Sequence, residues 1–333
     1  MKLGINVGYW QRHPDDATET VLAAERLGYD SVWTAEAYGS DALTTLAWYG
    51  ARTSRIGLGT AVVQMSARTP TATAMHALTL DALSGGRLTL GIGASGPQVV
   101  EGWYGVPFPK PLARTREYVR ILRDVWRREG PVTSDGPHYP LPYPGGTGLG
   151  KPLKSIAHPV RPDIPIYLGA EGPKNVALAA EIAQGWLPLF VDPGQMDALF
   201  GASLAGRPAD FEIAATVTTI VTDDLAGALE IAKIPIAFYI GGMGARDSNF
   251  HLDLIGRLGY AEAAARVQEL FLSGRRAEAV AAVPDELADS ISLLGPLGRI
   301  KERLGLWLGS PVTTLLIAGV RDEPTLRALR DMV

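Results

Sequence analysis

The chain of 333 residues contains no cysteine, which excludes disulfide bonds, iron–sulfur clusters, zinc ribbons and a thiol nucleophile. It has no run of 18 consecutive apolar residues, so no membrane span is expected. Its polar N-terminus lacks the apolar core of a signal peptide. The chain also has no large excess of either charge, because its 31 basic residues nearly balance its 35 acidic ones. This balance argues against a nucleic-acid or membrane surface, and a cytoplasmic protein is expected.

Metal-ligating residues are also sparse. The five histidines include no pair at the spacing that would place two ligands on one face of a helix. No metal site is therefore expected.

Short apolar strands alternate with helical segments along most of the chain. This alternation indicates the α/β class with a parallel sheet, and eight such units favour a (β/α)8 TIM barrel spanning residues 1–333 as one domain. A doubly wound open sheet is the competing architecture. The predicted strands cover residues 2–8, 30–35, 55–63, 87–92, 164–169, 186–191, 211–222 and 312–318.

Two segments exceed what a barrel needs. Residues 129–163 hold eight prolines and six glycines without helical or strand periodicity, which is typical of a long loop that acts as a lid or binding loop. Residues 224–308 are mostly helical and are interpreted as an insertion between the seventh and eighth strands.

Two glycine-rich corners repeat one pattern. Residues 93–97 read GASGP and residues 169–173 read GAEGP, each after an apolar strand. Such a turn aims backbone N–H groups and the positive end of a helix dipole at one point, as in phosphate sites. The second corner is the better candidate because its helix begins at once. Residues 91–96 formally match GxGxxG, but the following loop disfavours a dinucleotide-binding unit.

Several other side chains fall where barrel active sites lie. Glu36 ends the second strand, and either caps the next helix or contacts a ligand, where it could donate a proton. Trp10, Trp103 and Tyr104 follow strand ends and are suited to walling a flat cofactor or an apolar substrate. His251, near Arg246 in the helical insertion, is a candidate to reach a ligand.

Residues 28–33, 55–62, 84–93 and 166–175 together carry a family pattern. The chain resembles the bacterial luciferase-like monooxygenase superfamily, in the branch that depends on the deazaflavin coenzyme F420. That branch includes methylene-tetrahydromethanopterin reductases and F420-dependent glucose-6-phosphate dehydrogenases. One departure is Ala37, where the sugar-phosphate dehydrogenases carry a histidine, so oxidation of glucose 6-phosphate is not expected.

The resemblance implies a TIM barrel whose insertion loop covers the C-terminal face. It also implies a non-prolyl cis peptide near Ala61–Val62 behind the deazaflavin ring. The cofactor phosphate is expected on residues 169–175, and Glu36 matches the acidic position that touches the ring. The implied cofactor contacts are Glu36, Ala61, Val62, Gln64, Ser95, Gly96, Gln98, Gly169, Ala170, Glu171, Gly172, Pro173 and Asn175.

The function expected from this reading is hydride transfer between coenzyme F420 and a small organic substrate, with Glu36 as the catalytic candidate. Trp10, Trp103, Tyr104, Arg246 and His251 are the substrate candidates, and the loop 131–163 is expected to border the substrate. The alternatives are an FMN-dependent monooxygenase on the same barrel and a non-catalytic F420 or flavin carrier. Relatives of this type suggest a homodimer or a higher homo-oligomer.

Overall fold

A computed structural model describes all residues of the chain, 1–333. Its strands and helices alternate as the sequence predicts. The strands are β1 Lys2–Gly8, β2 Ser31–Thr34, β3 Gly57–Thr60, β4 Val63–Gln64, β5 Leu88–Gly93, β6 Ile166–Gly169, β7 Gly185–Leu187, β8 Glu212–Val221, β9 Ser292–Gly295 and β10 Thr314–Ala318. The helices are α1 Thr18–Arg26, α2 Ala42–Gly50, α3 Pro70–Ser84, α4 Pro97–Gly102, α5 Pro111–Arg127, α6 Pro173–Ile182, α7 Met196–Leu204, α8 Leu225–Gly242, α9 Phe250–Ile255, α10 Ala261–Leu272, α11 Arg276–Ala281, α12 Asp285–Ser290, α13 Leu297–Leu308 and α14 Glu323–Arg330.

The sheet closes on itself. Parallel pairing runs from β10 through β1, β2, β3, β5, β6, β7 and β8, and β8 pairs back to β10. This closed ring of parallel strands with outer helices confirms the TIM barrel. Its interior includes Trp33, Leu187, Ala214 and Leu316, which form a buried cluster inside the ring. The barrel is therefore a packed core whose C-terminal rim is free for a binding site.

Local chemistry explains the best-defined connections. Helix α3 begins after Thr69, whose hydroxyl accepts the N–H of Ala72, and Pro70 occupies its first turn. It ends at Gly85, which has the left-handed conformation that glycine adopts without a steric cost. These signals are local, which is why the sequence places both ends of this helix correctly.

The Pro/Gly-rich segment 129–163 does not cover the C-terminal face, and that expectation is wrong. It leaves the C-terminal end of α5 and enters the start of β6, so both of its ends lie at the opposite face of the barrel. Between them it runs along α5, where the Glu117 carboxylate accepts the N–H of Tyr139 at 2.6 Å. Near its return, Arg161 forms an ion pair with Asp81 at 2.7 Å. The topology holds both ends of this loop at this face, while its middle reaches the first turn of α5, where Arg114 donates to the Tyr139 hydroxyl at 3.2 Å.

The helical insertion has a hydrophobic core of its own. Helices α8 to α12 and strand β9 contribute 16 buried residues to a cluster separate from the barrel core. The sequence reading missed β9, a four-residue strand that pairs with the C-terminal half of β8. Helix α8 is long and apolar enough to cross a membrane by length and composition alone. In this structure it packs against α10, α11 and α12.

Candidate active site at the C-terminal mouth of the barrel

The mouth of the barrel is shaped around a kink after β3. The peptide between Ala61 and Val62 is cis, at the position that the family resemblance implies. The side chain of Val62 lies against Gly93 and Gly169, where an added Cβ would come within 2.8 and 3.0 Å of it. Glycines at the ends of β5 and β6 therefore allow the kink to sit between the two corners.

Glu36 is buried and fully engaged by its neighbours. Arg68 contacts both carboxylate oxygens, at 2.8 and 3.0 Å. The N–H of Gln64 donates to the same carboxylate at 2.8 Å and that of Ala42 at 3.2 Å. The carboxylate thus ties the end of the kink to the start of α2, which supports a positioning role. The proton-donor role stays a prediction.

Two amide side chains at the mouth carry buried atoms without hydrogen-bond partners. Gln64 is 4% exposed, and its Oε1 accepts no hydrogen bond. Both amide atoms of Gln98, just inside α4, are likewise buried without partners. A buried polar atom without a partner costs about 1–3 kcal/mol, so such atoms call for a ligand or water. These two side chains fit hydrogen bonding to the polar edge of a cofactor ring.

The corner after β6 presents free backbone donors. The N–H groups of Glu171, Gly172 and Lys174 donate to no acceptor in the chain. Helix α6 begins at Pro173 directly behind them, so the positive end of its dipole points to the same place. The Lys174 side chain is exposed and makes no ion pair. This corner suits a phosphate held by backbone donors.

The helical insertion closes over this corner through a buried pair that the sequence reading missed. Nδ1 of His251 on α9 lies 2.7 Å from Oε1 of Glu171, although the angle is not that of a hydrogen bond. Arg257 donates from Nη2 to the main-chain oxygen of Glu171 at 2.9 Å. The sequence signal for such a pair is Glu171 itself, because an acidic side chain in a corner that suits a phosphate calls for a cationic partner.

The end of α8 reaches across the mouth. Tyr239 lies 5.4 Å from Phe190 after β7 and 4.8 Å from His251, measured between ring centroids. The Tyr38 hydroxyl, in the loop after β2, contacts the Met243 sulfur at 3.5 Å. Burial raises the pKa of Tyr239, and the neighbouring Tyr9, Glu171 and Tyr38 raise it further. The insertion 224–308, and not the loop 129–163, therefore covers the site.

A pocket of about 250 Å³ opens between the loops after β2 and β5. Trp103 is 64% exposed and lies 6.4 Å from Tyr38 between ring centroids. The Tyr104 hydroxyl donates to the main-chain oxygen of Ala37 at 3.4 Å. Burial raises the pKa of Tyr104, with a smaller increase from Glu36. The lining residues are Glu36, Ala37, Tyr38, Gly39, Ser40, Asp41, Ala67, Arg68, Trp103 and Tyr104.

The five residues predicted to contact the substrate do not lie together in the structure. Trp103 and Tyr104 line this pocket, whereas His251 lies under the insertion beside Glu171. Trp10 is half-buried, and its backbone is hydrogen-bonded to Ser40. Arg246 is exposed and makes no ion pair. Among the cofactor candidates, Ser95 has a positive φ of 59° in the β5 corner, near the unpaired Gln98 amide.

Comparison with known proteins finds similar sequences over most of the chain. The family model described as luciferase-like monooxygenase matches residues 2–314. A protein of Mycobacterium tuberculosis named "Putative coenzyme F420-dependent oxidoreductase Rv3520c" is 55% identical over 97% of this chain and 96% of that protein. The 5,10-methylenetetrahydromethanopterin reductase of Archaeoglobus fulgidus is 30% identical over 90% of this chain and 87% of its own length.

Two solved structures have the same fold. The coenzyme F420-dependent tetrahydromethanopterin reductase from Methanopyrus kandleri superposes with a TM-score of 0.80 at 24% identity, covering 100% of this chain and 99% of that one. An F420-dependent secondary alcohol dehydrogenase in complex with an F420-acetone adduct gives a TM-score of 0.79 at 16% identity, covering 100% and 98%. At these identities the likeness shows the fold alone.

Proposed function

This chain belongs to the luciferase-like monooxygenase family, and we propose that it is a coenzyme F420-dependent oxidoreductase that transfers a hydride between the deazaflavin and a small organic substrate. Identity of 55% over nearly the full length to a relative named for F420 is the comparison that supports this cofactor.

The observation that carries the proposal is the match between two sets of unpaired groups and the two ends of such a cofactor. Oε1 of Gln64 and both amide atoms of Gln98 have no partners where a flat ring would lie against the kink. The free N–H groups of residues 171, 172 and 174 lie where an anionic tail would extend. Each end of the cofactor thus meets groups that the protein leaves unsatisfied.

The deazaflavin supplies the hydride chemistry when bound. The role of this chain is to hold the ring, exclude water and place the substrate. Gln64 and Gln98 would hold the ring edge, and Glu36 with Arg68 would hold Gln64 in place. Tyr38, Trp103 and Tyr104 would bound an apolar or flat substrate in the pocket beside the ring.

Fluorescence titration of the purified protein with F420 and with FMN tests the cofactor. Tight F420 binding with negligible FMN binding supports the proposal, and the reverse overturns it in favour of an FMN-dependent monooxygenase. Oxygen consumption with reduced flavin would be expected in that second case. Binding of F420 without hydride transfer across a panel of alcohols, carbonyls and activated alkenes would indicate a carrier protein.

Gln98→Leu tests the ring contacts against a matched control. Its amide has no partner in the chain, so removing it costs no internal hydrogen bond, and the melting temperature should stay the same or rise. The F420 dissociation constant should increase about tenfold, as for a lost hydrogen bond to ligand. Gln268→Leu removes another buried, unpaired amide nitrogen on α10 and should leave binding unchanged. Equal affinities in both variants would contradict the placement of Gln98.

The assembly and location belong to the same proposal. The loop 129–163 exposes Tyr143, Leu149, Leu153 and Ile156, the last at 94% exposure. Apolar side chains at this density are typical of surfaces buried between subunits, which supports a homodimer or a higher homo-oligomer. Light scattering on the wild type and on Ile156→Asp measures the oligomeric state. A cytoplasmic location is proposed from the lack of cysteine.

A further inference from the structure

Glu171 creates an electrostatic problem for the corner that holds it. Its own backbone N–H is one of the three free groups, with those of Gly172 and Lys174, where the proposed function places the anionic tail of the cofactor. The side chain is 9% exposed, and Oε2 accepts no hydrogen bond. An unpaired buried carboxylate here would repel the tail at short range, where water screens poorly.

His251 is the side chain that contacts this carboxylate. Its Nδ1 lies 2.7 Å from the Glu171 carboxylate, and its side chain is 8% exposed. The rings of Tyr239 and Phe250 lie 4.8 and 4.5 Å from the imidazole and shield it from water. The hydrogen bond from Arg257 to the Glu171 main-chain oxygen brings a guanidinium cation to the same loop.

On the basis of the proposed function, we infer that His251 is a positioning residue whose imidazole, in its protonated form, neutralises Glu171 and so allows the β6 corner to accept an anionic cofactor tail. The pair comes from distant parts of the chain, because Glu171 lies in the barrel and His251 in the helical insertion. Tail binding therefore depends on the insertion being seated over the mouth. The ring-binding groups at Gln64 and Gln98 lie elsewhere on the rim and do not depend on this pair.

Variants at His251 and Glu171, alone and combined, distinguish an electrostatic effect on F420 binding from a structural one. His251→Asn leaves the carboxylate without its cation and should weaken F420 binding about tenfold or more. Glu171→Gln removes the charge and should keep F420 binding within about threefold of wild type, or tighten it. The double variant should bind like Glu171→Gln alone, because there is then no charge left to neutralise.

The probe pair is F420 and the deazaflavin riboside that lacks the phosphate-bearing tail, both titrated by fluorescence. The affinity for the riboside should be the same in the wild type and in all variants. The control variant His76→Asn, whose imidazole lies on the exposed face of α3, should bind F420 with the affinity of the wild type. Unchanged F420 affinity in His251→Asn overturns the inference. So does tail-specific weakening in Glu171→Gln, which would make Glu171 a ligand.

A second probe pair distinguishes this inference from the proposed function. If the wild type binds FMN and not F420, the proposed cofactor is wrong, and the same variants are titrated with FMN and riboflavin. A charge rescue specific to FMN then supports the neutralising pair on its own. Absence of binding to both cofactors overturns the proposed function and this inference together. If His251→Asn does not fold, loss of F420 affinity in Glu171→Gln alone still decides against the pair.

Discussion

At the residue scale, the ion pair between Glu36 and Arg68 is the buried charge interaction nearest the pocket. The side chains are 4% and 16% exposed, so replacing Arg68 by methionine leaves a carboxylate buried without its cation. Breaking a buried pair from one side costs about 3–5 kcal/mol, and we expect a loss of this size in the free energy of unfolding. Urea denaturation measures it.

A matched pair on the surface serves as the control for Arg68→Met. Arg116 and Glu181 also form two contacts, at 2.6 and 2.7 Å, but both side chains are more than half exposed. Arg116→Met should cost less than about 1 kcal/mol, since water screens such pairs. The double variant Glu36→Gln with Arg68→Met should recover part of the stability. Equal losses in Arg68→Met and Arg116→Met would show that burial does not govern this pair.

Residue-scale chemistry also marks the limit of what the sequence predicts. Thr69 and Pro70 begin α3 and Gly85 ends it, each acting on groups within a few residues of itself, so the ends of α3 follow from local rules. The partner of Glu36 is 32 residues away, and that of Glu171 is 80 residues away. No local pattern encodes such pairs. The rim positions could be predicted because parallel strands bring their C-terminal ends together, whereas the partner of Glu36 depends on the loop after β4 and that of Glu171 on how the insertion packs.

At the element scale, the contact between β3 and β5 depends on the absence of a side chain. A Cβ at position 91 would come within 1.8 Å of the Thr60 main-chain oxygen. Gly91→Ala must therefore push the two strands apart just below the kink, and we expect it to destabilise by about 3 kcal/mol. Gly102→Ala on α4 meets nothing within 4 Å and should change stability by less than about 1 kcal/mol. Thermal unfolding of both variants measures this, and similar melting temperatures would contradict the tight approach.

The connection before β3 gives a pH-dependent prediction. Partial burial by itself raises the pKa of Glu25, but hydrogen bonds from the N–H groups of Arg55, Ile56 and Ser54 outweigh it and lower the pKa. A lowered pKa in the folded state means that the ionised carboxylate stabilises the fold above its unfolded value of about 4.3. This stabilisation is lost as the pH falls through the folded pKa.

Glu25→Gln should accordingly melt below wild type at pH 7, and the gap should close as the pH falls below about 4. Glu302→Gln, on the exposed face of α13, is the control and should show no gap at either pH. Scanning calorimetry across the range measures both. A gap that widens in acid would mean that the N–H groups do not favour the ionised form.

At the scale of the whole molecule, two cores meet at the mouth. Phe190 and Leu199 pack against both the barrel cluster and the insertion cluster, so they join the cover to the barrel. The sequence marked two extra segments, residues 129–163 and 224–308, but it assigned the cover to the wrong one. Composition suggested a lid at residues 129–163, whereas topology holds both ends of that loop at the opposite face. Chain connectivity, more than composition, decides which insertion can cover a barrel mouth.

Hydrogen exchange with and without F420 distinguishes the two insertions directly. Binding should slow exchange at residues 171, 172 and 174, whose N–H groups are free, and at residues 243–249, which follow the end of α8 beside Tyr38. Residues 142–160 act as an internal control and should exchange at the same rate in both states, because that loop runs outside α5 with its ends at the far face. Slower exchange in 142–160 without change in 243–249 would contradict this arrangement and place the cover on the Pro/Gly-rich loop.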